Sequence, residues 1–351
     1  MREDKLKIGI THGDINGIGY EIIIKTLMDH RIFEICTPIL YGSPKVAAYH
    51  RKALDIDNFS LNIIKSPNEA ASKRANVINC TDDEIRVELG KSTATAGEAS
   101  YLALTRAVQD LKDNKIHALV TAPINKANIQ SASFNFAGHT EYLKDCFSAE
   151  NVLMLMISDI LKVGIVTAHV PLKDVPSMLT VELILSKLKV LNKSLTEDFG
   201  IRKPVIAVLG LNPHSGEEGM LGSEEKDIII PAINRAKEER IIAIGPFPAD
   251  GFFGSGEFKK YDAILAMYHD QGLAPFKSIV SDQGVNYTAG LPVVRTSPAH
   301  GTAFEIAGKN LASNDSFRNA LYAACDIYHH RLAEAEIARN PLPEADLSEL
   351  L

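Results

Sequence analysis

Tryptophan is absent from the 351 residues, and cysteine is scarce. Cys36, Cys80, Cys146 and Cys325 stand far apart, with no C-x-x-C pair. That spacing excludes a cysteine-rich zinc site and a disulfide framework, and it fits a reducing cytoplasm. No block of lysine and arginine occurs and the net charge is −7, so no nucleic-acid partner is expected. Apolar runs of membrane-spanning length are missing too, so no membrane association is expected. The start, Met1-Arg2-Glu3-Asp4-Lys5, is charged and leads straight into a strand pattern, unlike a signal peptide. Internal repeats, Pro- or Ser-rich linkers and the G-x-G-x-x-G dinucleotide fingerprint are also lacking. A chain of this length and composition has room for two domains or one large core.

What is present is an alternation of short apolar runs with amphipathic segments. Residues 7–11, 38–42, 118–121, 151–158, 161–167, 205–209, 241–246, 262–267 and 291–295 read as strands. Residues 20–29, 44–54, 97–113, 177–198, 223–240 and 315–339 read as helices, and the acidic stretch after Pro341 as a loose tail. Strands separated by helices predict an α/β fold of mostly parallel, doubly wound sheets. Two domains are expected, residues 1–130 plus 290–351 and residues 131–289.

The first strand runs into His12-Gly13-Asp14-Ile15-Asn16-Gly17-Ile18-Gly19 and then a helix. Such a loop is either an anion site on free N–H groups or a tight βα turn. Three histidines lie just past apolar strands: His169 after Ala168, His214 after Pro213, His269 after Tyr268. In a parallel sheet such ends share one edge, where ligands bind. Three imidazoles there can hold a divalent ion and leave one position open for a substrate oxygen. The stretch from Tyr268 to Lys277 reads as a polar loop leaving the core. His30, His50, His117, His329 and His330 read as solvated or internally satisfied. Lys277 and Arg295 flank a loop containing Asn286, and Arg295 closes a strand. Two cations beside Asn, Thr and Ser can grip a phosphate or carboxylate.

Several motifs now stand together: Gly13-Asp14-x-x-Gly17-Ile18-Gly19, Thr121-Ala122-Pro123-Ile124-Asn125-Lys126, Gly138-His139-Thr140-Glu141 and Ala168-His169-Val170-Pro171-Leu172. Further along come Asn212-Pro213-His214-x-Gly216-Glu217, Tyr268-His269-Asp270-Gln271-Gly272, Gly290-Leu291-Pro292-x-x-Arg295-Thr296-Ser297 and His300-Gly301-Thr302-Ala303. The set resembles the 4-hydroxythreonine-4-phosphate dehydrogenase (PdxA) family over nearly the whole chain. The resemblance implies a two-domain fold similar to isocitrate and isopropylmalate dehydrogenases, in a homodimer with shared active sites. It implies a divalent metal (zinc, cobalt, magnesium or manganese) on His169, His214 and His269, with His269 supplied by the partner subunit. It also implies that His139, Thr140, Lys277, Asn286 and Arg295 contact a small phosphorylated hydroxy acid.

His300-Gly301-Thr302-Ala303-Phe304-Glu305 is similar to the loop that holds the adenosine of NAD in isopropylmalate enzymes. A carboxylate at Glu305 would repel a 2′-phosphate, favouring NAD over NADP. Asp270 and Asp250 are candidate general bases, each equally able to support a ligand from behind. The first loop departs from the family pattern: Ile15-Asn16 stands where relatives usually have Pro-Ala, and Tyr20 where they have Pro. Phe304 likewise replaces a smaller residue. The implied reaction is NAD-dependent, metal-assisted oxidation of 4-phosphooxy-L-threonine at C3. Decarboxylation to 3-amino-2-oxopropyl phosphate, a step of pyridoxal phosphate biosynthesis, would follow. The same chemistry on 4-phosphorylated threonate or erythronate is the alternative. Strand-end histidines alone would also allow a metal-dependent hydrolase or lyase.

Overall fold

The computed structural model describes residues 5–82, 84–131 and 133–339; the tail after Pro341 lies outside them. The apolar runs become strands: β1 (Leu6–Thr11), β2 (Cys36–Gly42), β3 (Asn62–Ile64), β4 (Asn76–Asn79), β5 (Ala118–Thr121) and β6 (Leu153–Ile157). They continue with β7 (Lys162–Thr167), β8 (Val205–Leu209), β9 (Ile242–Phe247), β10 (Ala263–Tyr268), β11 (Val285–Ala289) and β12 (Val294–Pro298). All belong to one sheet in the order β3-β4-β2-β1-β5-β12-β11-β6-β7-β10-β8-β9. The expectation of separate sheets is therefore corrected. β11 and β6 run antiparallel to their neighbours and join two parallel blocks. That pairing covers the inner edge each block would otherwise leave open.

Alternate residues of each strand feed cores on opposite faces, as a pleat requires. In β5, Ala118 and Val120 pack in the core containing Phe317, Ala320 and Leu321 of the helix Asp315–Arg339. Leu119 between them packs with Ala103, Leu104 and Ala107 of the helix Ala94–Lys112. In β10, Leu265 faces Leu185 and Leu188, while Ile264 and Ala266 face Leu273 and Phe276. The sheet is thus covered on both sides, and its ligand-binding margin is the carboxyl edge.

Five local expectations need correction. Asn286 sits on β11, and Arg295 is the second residue of β12 rather than the last of a strand. The single helix expected over 177–198 is two, Val175–Met178 and Val181–Glu197. The break comes at Thr180, whose hydroxyl caps the second helix by accepting from the Leu183 N–H at 3.1 Å. Residues 223–240 open with a π turn, Glu225–Ile229, before the α-helix Ile230–Glu238.

Finally, the stretch after Tyr268 is no loop: His269 is the first residue of the helix His269–Val280. Gly272 and Pro275 hide that helix from propensity. Packing requires the glycine, since a Cβ there would meet Ile165 Cδ1 at 2.5 Å and Val163 Cγ1 at 2.9 Å. The helix lies hard against the sheet for that reason.

Candidate active site

β7, β10 and β8 are adjacent and parallel. Their carboxyl ends deliver His169, His269 and His214 to one margin of the sheet. Beside the first two lies a cavity of about 500 Å³. His139, Thr140, Lys277, Asn286 and Arg295 all line it, as do His169, His269 and His300. They come from separate elements: the helix His139–Cys146, the helix His269–Val280, β11 and β12.

Arg295 is the most informative of them. It is 3% exposed. Nε and Nη2 donate to the Thr121 hydroxyl at 3.1 and 2.6 Å, and Nη1 donates to the Thr288 hydroxyl at 3.1 Å. Among the described residues no carboxylate forms an ion pair with it. Burial pushes its pKa down to about 10, Glu141 opposing the shift. A buried cation held only by neutral hydroxyls awaits an anion.

Three other lining side chains hold buried polar atoms without a partner: His139 Nε2, Asn286 Oδ1 and His300 Nε2. Buried polar atoms are otherwise almost always paired, so their gathering around one cavity marks a ligand site. Burial holds the pKa of His139 well below the ordinary histidine value, with Arg295 and Lys126 adding to the effect. Burial also lowers the pKa values of His169 and His300. These imidazoles are therefore neutral, the form that accepts hydrogen bonds or ligates metal.

The His169 and His269 rings stand 6.1 Å apart, centroid to centroid, within one chain. The two rings thus lie side by side within one chain. His269 Nδ1 pairs with Asp270 Oδ1 at 2.7 Å, which leaves Nε2 as the free nitrogen. His214 is exposed, on a left-handed turn with φ 52° and ψ 26°, and does not line the cavity. Among the described residues, no three metal-ligating side chains cluster. Asp250 lies exposed in the helix Ala249–Gly254, and neither it nor Asp270 lines the cavity. Of the expected NAD loop only His300 lines the cavity; Gly301 and Glu305 are exposed.

Lys126 and Glu141 line the cavity as well, yet drew no role from the sequence. The signal was there: Lys126 closes the exit from β5, and Glu141 follows His139-Thr140 directly. Among the described residues, Glu141 is the one carboxylate lining the cavity.

The first loop resolves as a tight βα turn. Gly13 has φ +69°, and a Cβ there would collide with the Pro123 carbonyl. The Ile18 N–H that could bind an anion donates instead to the Thr302 carbonyl at 3.1 Å. Tyr20 fills the adjoining corner. Its ring stacks between His12 and His50, at 5.2 and 5.1 Å, and its hydroxyl accepts from the Ser43 N–H at 2.8 Å.

Fold and cavity together define an α/β protein with a mostly parallel sheet and a cationic, histidine-bearing pocket at its strand ends. The chain belongs to the family described as pyridoxal phosphate biosynthetic protein PdxA, whose profile matches residues 34–324. It is 54% identical over 344 residues to a 4-hydroxythreonine-4-phosphate dehydrogenase of Bacteroides thetaiotaomicron, covering 97% of this chain and 94% of that one. It is 39% identical to an Oceanobacillus iheyensis protein provisionally named D-threonate 4-phosphate dehydrogenase, covering 91% of this chain and 97% of that one. The crystal structure of 4-hydroxythreonine-4-phosphate dehydrogenase from Klebsiella pneumoniae superposes with a TM-score of 0.81 at 33% identity, over 93% of this chain and 98% of that one.

Proposed function

We propose that this chain oxidises 4-phosphooxy-L-threonine at C3, with NAD as oxidant and a divalent ion at the histidines. The product, 2-amino-3-oxo-4-phosphooxybutanoate, is a β-keto acid and loses carbon dioxide to give 3-amino-2-oxopropyl phosphate. Arg295 carries the reading: a buried guanidinium without a carboxylate partner, facing a cavity it shares with Lys277 and the histidine pair. Two cations match the charge of a phosphate monoester, and the guanidinium fork matches its oxygens. Family membership favours a dehydrogenase over a hydrolase or lyase, and the names of the relatives supply the substrate class.

With the phosphate on Arg295 and Lys277, the hydroxyl-bearing carbons are left for His169 and His269 in the same cavity. Neutral His139 and Asn286 supply uncharged hydrogen-bonding atoms that orient the substrate without competing for its charge. Two imidazoles stand together to hold the ion, one neutral through burial and one turned by Asp270 so that Nε2 is free. We read His214 as the third ligand, brought up from the end of β8. Imidazole suits zinc or cobalt, with magnesium or manganese the alternatives. A divalent ion supplies Lewis acidity toward the substrate hydroxyl. NAD supplies the oxidant, and the loop 300–305 is read as its adenosine site, Glu305 facing the ribose. Asp270, bonded to an imidazole, is read as the support of His269 rather than as the base.

The assembly is read as a homodimer. The edge strand β9 exposes Ile242 and Ile244. An unpaired edge with apolar side chains favours contact with a second copy. Residues 1–130 plus 290–351 and residues 131–289 are read as two domains. In support, the first six strands in sheet order come from the former and the last six from the latter. The cysteines are free even where the side chains of Cys36 and Cys325 meet, which favours the cytoplasm.

The deciding experiment measures NAD reduction side by side with 4-phosphooxy-L-threonine and with 4-phospho-D-threonate or 4-phosphoerythronate. Higher kcat/KM on the amino acid is expected. Higher kcat/KM on a hydroxy acid assigns the alternative, which the name of the 39% identical relative favours.

A further inference from the structure

Two side chains of opposite charge on the cavity wall are left without partners. Lys126, on the stretch leaving β5, and Glu141, on the helix His139–Cys146, both line the cavity. Among the described residues, neither side chain makes an ion pair or a hydrogen bond. Other cations of the wall are engaged: Arg295 donates to the Thr121 and Thr288 hydroxyls, and Lys187 Nζ donates to the Val152 carbonyl at 2.7 Å. Lys126 and Glu141 converge over Gly138. The point that a Cβ of residue 138 would occupy lies 3.6 Å from Glu141 Oε2 and 3.6 Å from Lys126 Cε. A glycine there leaves that point to a ligand atom. Burial lowers the pKa values of Arg295 and His169, and Glu141 opposes both shifts. Its charge therefore reaches the guanidinium and the imidazoles alike.

The substrate proposed above carries a phosphate, a carboxylate and an ammonium. Arg295 and Lys277 answer the phosphate. The carboxylate and the ammonium share one carbon, C2, and have opposite charges. A lysine and a glutamate that converge on one point match that pattern. An ammonium presents three donors and no acceptor, and taking its charge out of water is costly unless an opposite charge offsets it. Asn286 Oδ1 and neutral His139 can accept a hydrogen bond, but among the described residues only Glu141 brings a negative charge to this cavity. A hydroxyl on the same carbon is uncharged and both donates and accepts, so it depends far less on a carboxylate.

We propose that Glu141 selects the amino acid over the hydroxy acid by receiving the C2 ammonium, while Lys126 holds the adjoining carboxylate. The inference rests on reading this cavity as the site of a phosphorylated four-carbon acid. If Glu141 served instead as a general base, or only as a counter-charge to Arg295, its loss would act on amino and hydroxy acids alike.

The test measures binding to the full-length protein by titration calorimetry, without NAD so that no turnover occurs. The ligands are 4-phosphooxy-L-threonine, 4-phospho-D-threonate and 4-phosphoerythronate. Wild type should bind the amino acid most tightly. Glu141→Gln should bind it roughly 10–150-fold more weakly, the range for a hydrogen bond to a charged group, and should hold both hydroxy acids as tightly as wild type does. Their retained binding also shows that the variant is folded. Lys126→Met should weaken all three ligands alike, by roughly 2–5-fold, because this lysine is exposed. Equal losses on all three ligands in Glu141→Gln, or no loss on the amino acid, overturn the selecting role and leave the reading of the cavity standing. Tighter wild-type binding of a hydroxy acid overturns the selecting role too. Wild-type affinities in Lys126→Met overturn the part given to the lysine. A wild type that binds none of the three overturns the reading of the cavity, and this inference with it.

Discussion

Replacing Arg295 with methionine should stabilise the free protein and weaken its response to phosphate. Burial holds this guanidinium at about 10 instead of 12.5. At about 1.4 kcal/mol per tenfold change, the charged form carries a burial cost of about 3 kcal/mol. Methionine removes that cost. It also leaves the Thr121 and Thr288 hydroxyls without their donor, at about 1 kcal/mol each. The difference is a gain of about 1 kcal/mol, or a rise in Tm of roughly 2–4 °C for a domain of a few hundred residues. Binding should move the other way. A hydrogen bond to a charged group contributes about 1.5–3 kcal/mol, so inorganic phosphate should bind roughly 10–150-fold more weakly. Scanning calorimetry with and without phosphate reads both effects. Phosphate at a hundred times its wild-type Kd would stabilise the wild type by about 2.7 kcal/mol and the variant by only about 0.3–1.4 kcal/mol. A variant that melts below wild type in buffer, yet shifts normally with phosphate, would refute the argument that Arg295 is a buried cation awaiting an anion.

Other consequences follow from the same structure. Burial holds His12 and His50 at about 4 against an ordinary 6.5, so the unfolded chain binds the extra protons between those values. Their contribution is complete above pH 6.5 and is lost as pH falls toward 4, by up to about 3 kcal/mol each. Urea midpoints should fall through that window, and a constant midpoint would contradict the burial account. Asp270→Asn should weaken metal affinity about tenfold in a chelator competition, as loss of a ligand's orienting partner does; unchanged affinity would remove Asp270 from that role. Asp198 is 2% exposed and accepts from Arg331 Nε at 2.6 Å and the Tyr287 hydroxyl at 2.7 Å. Asp198→Ala strands a half-buried guanidinium and should cost roughly 3–5 kcal/mol in denaturant unfolding. KM should hold at its wild-type value; a raised KM would tie this network to the active site.

Much of the fold was legible because it is local. An apolar run bounded by polar residues announces a strand, and the helix Asp315–Arg339 matches its sequence pattern end to end. β11 escaped because Val-Asn-Tyr-Thr-Ala mixes polar residues into a short strand buried between neighbours. The helix after Tyr268 escaped because Gly272 and Pro275 look like breakers, although the glycine is what lets the helix approach β7 so closely. Tyr20 looked like a departure from its relatives. Only the packed corner shows it as the middle ring of a stack.

The sequence by itself determined which residues are chemically able to act, and at which strand ends they emerge, because periodicity and motif are properties of neighbours along the chain. Tertiary structure decided which of them share a cavity. Thr121 and Arg295 are 174 residues apart in sequence and meet only because β5 and β12 lie side by side. That no carboxylate among the described residues ion-pairs with that guanidinium is, like the orphaned nitrogens of His139 and His300, a property of the closed fold. Burial sets the cost of an unpaired charge or polar atom, and burial exists only once distant segments have packed.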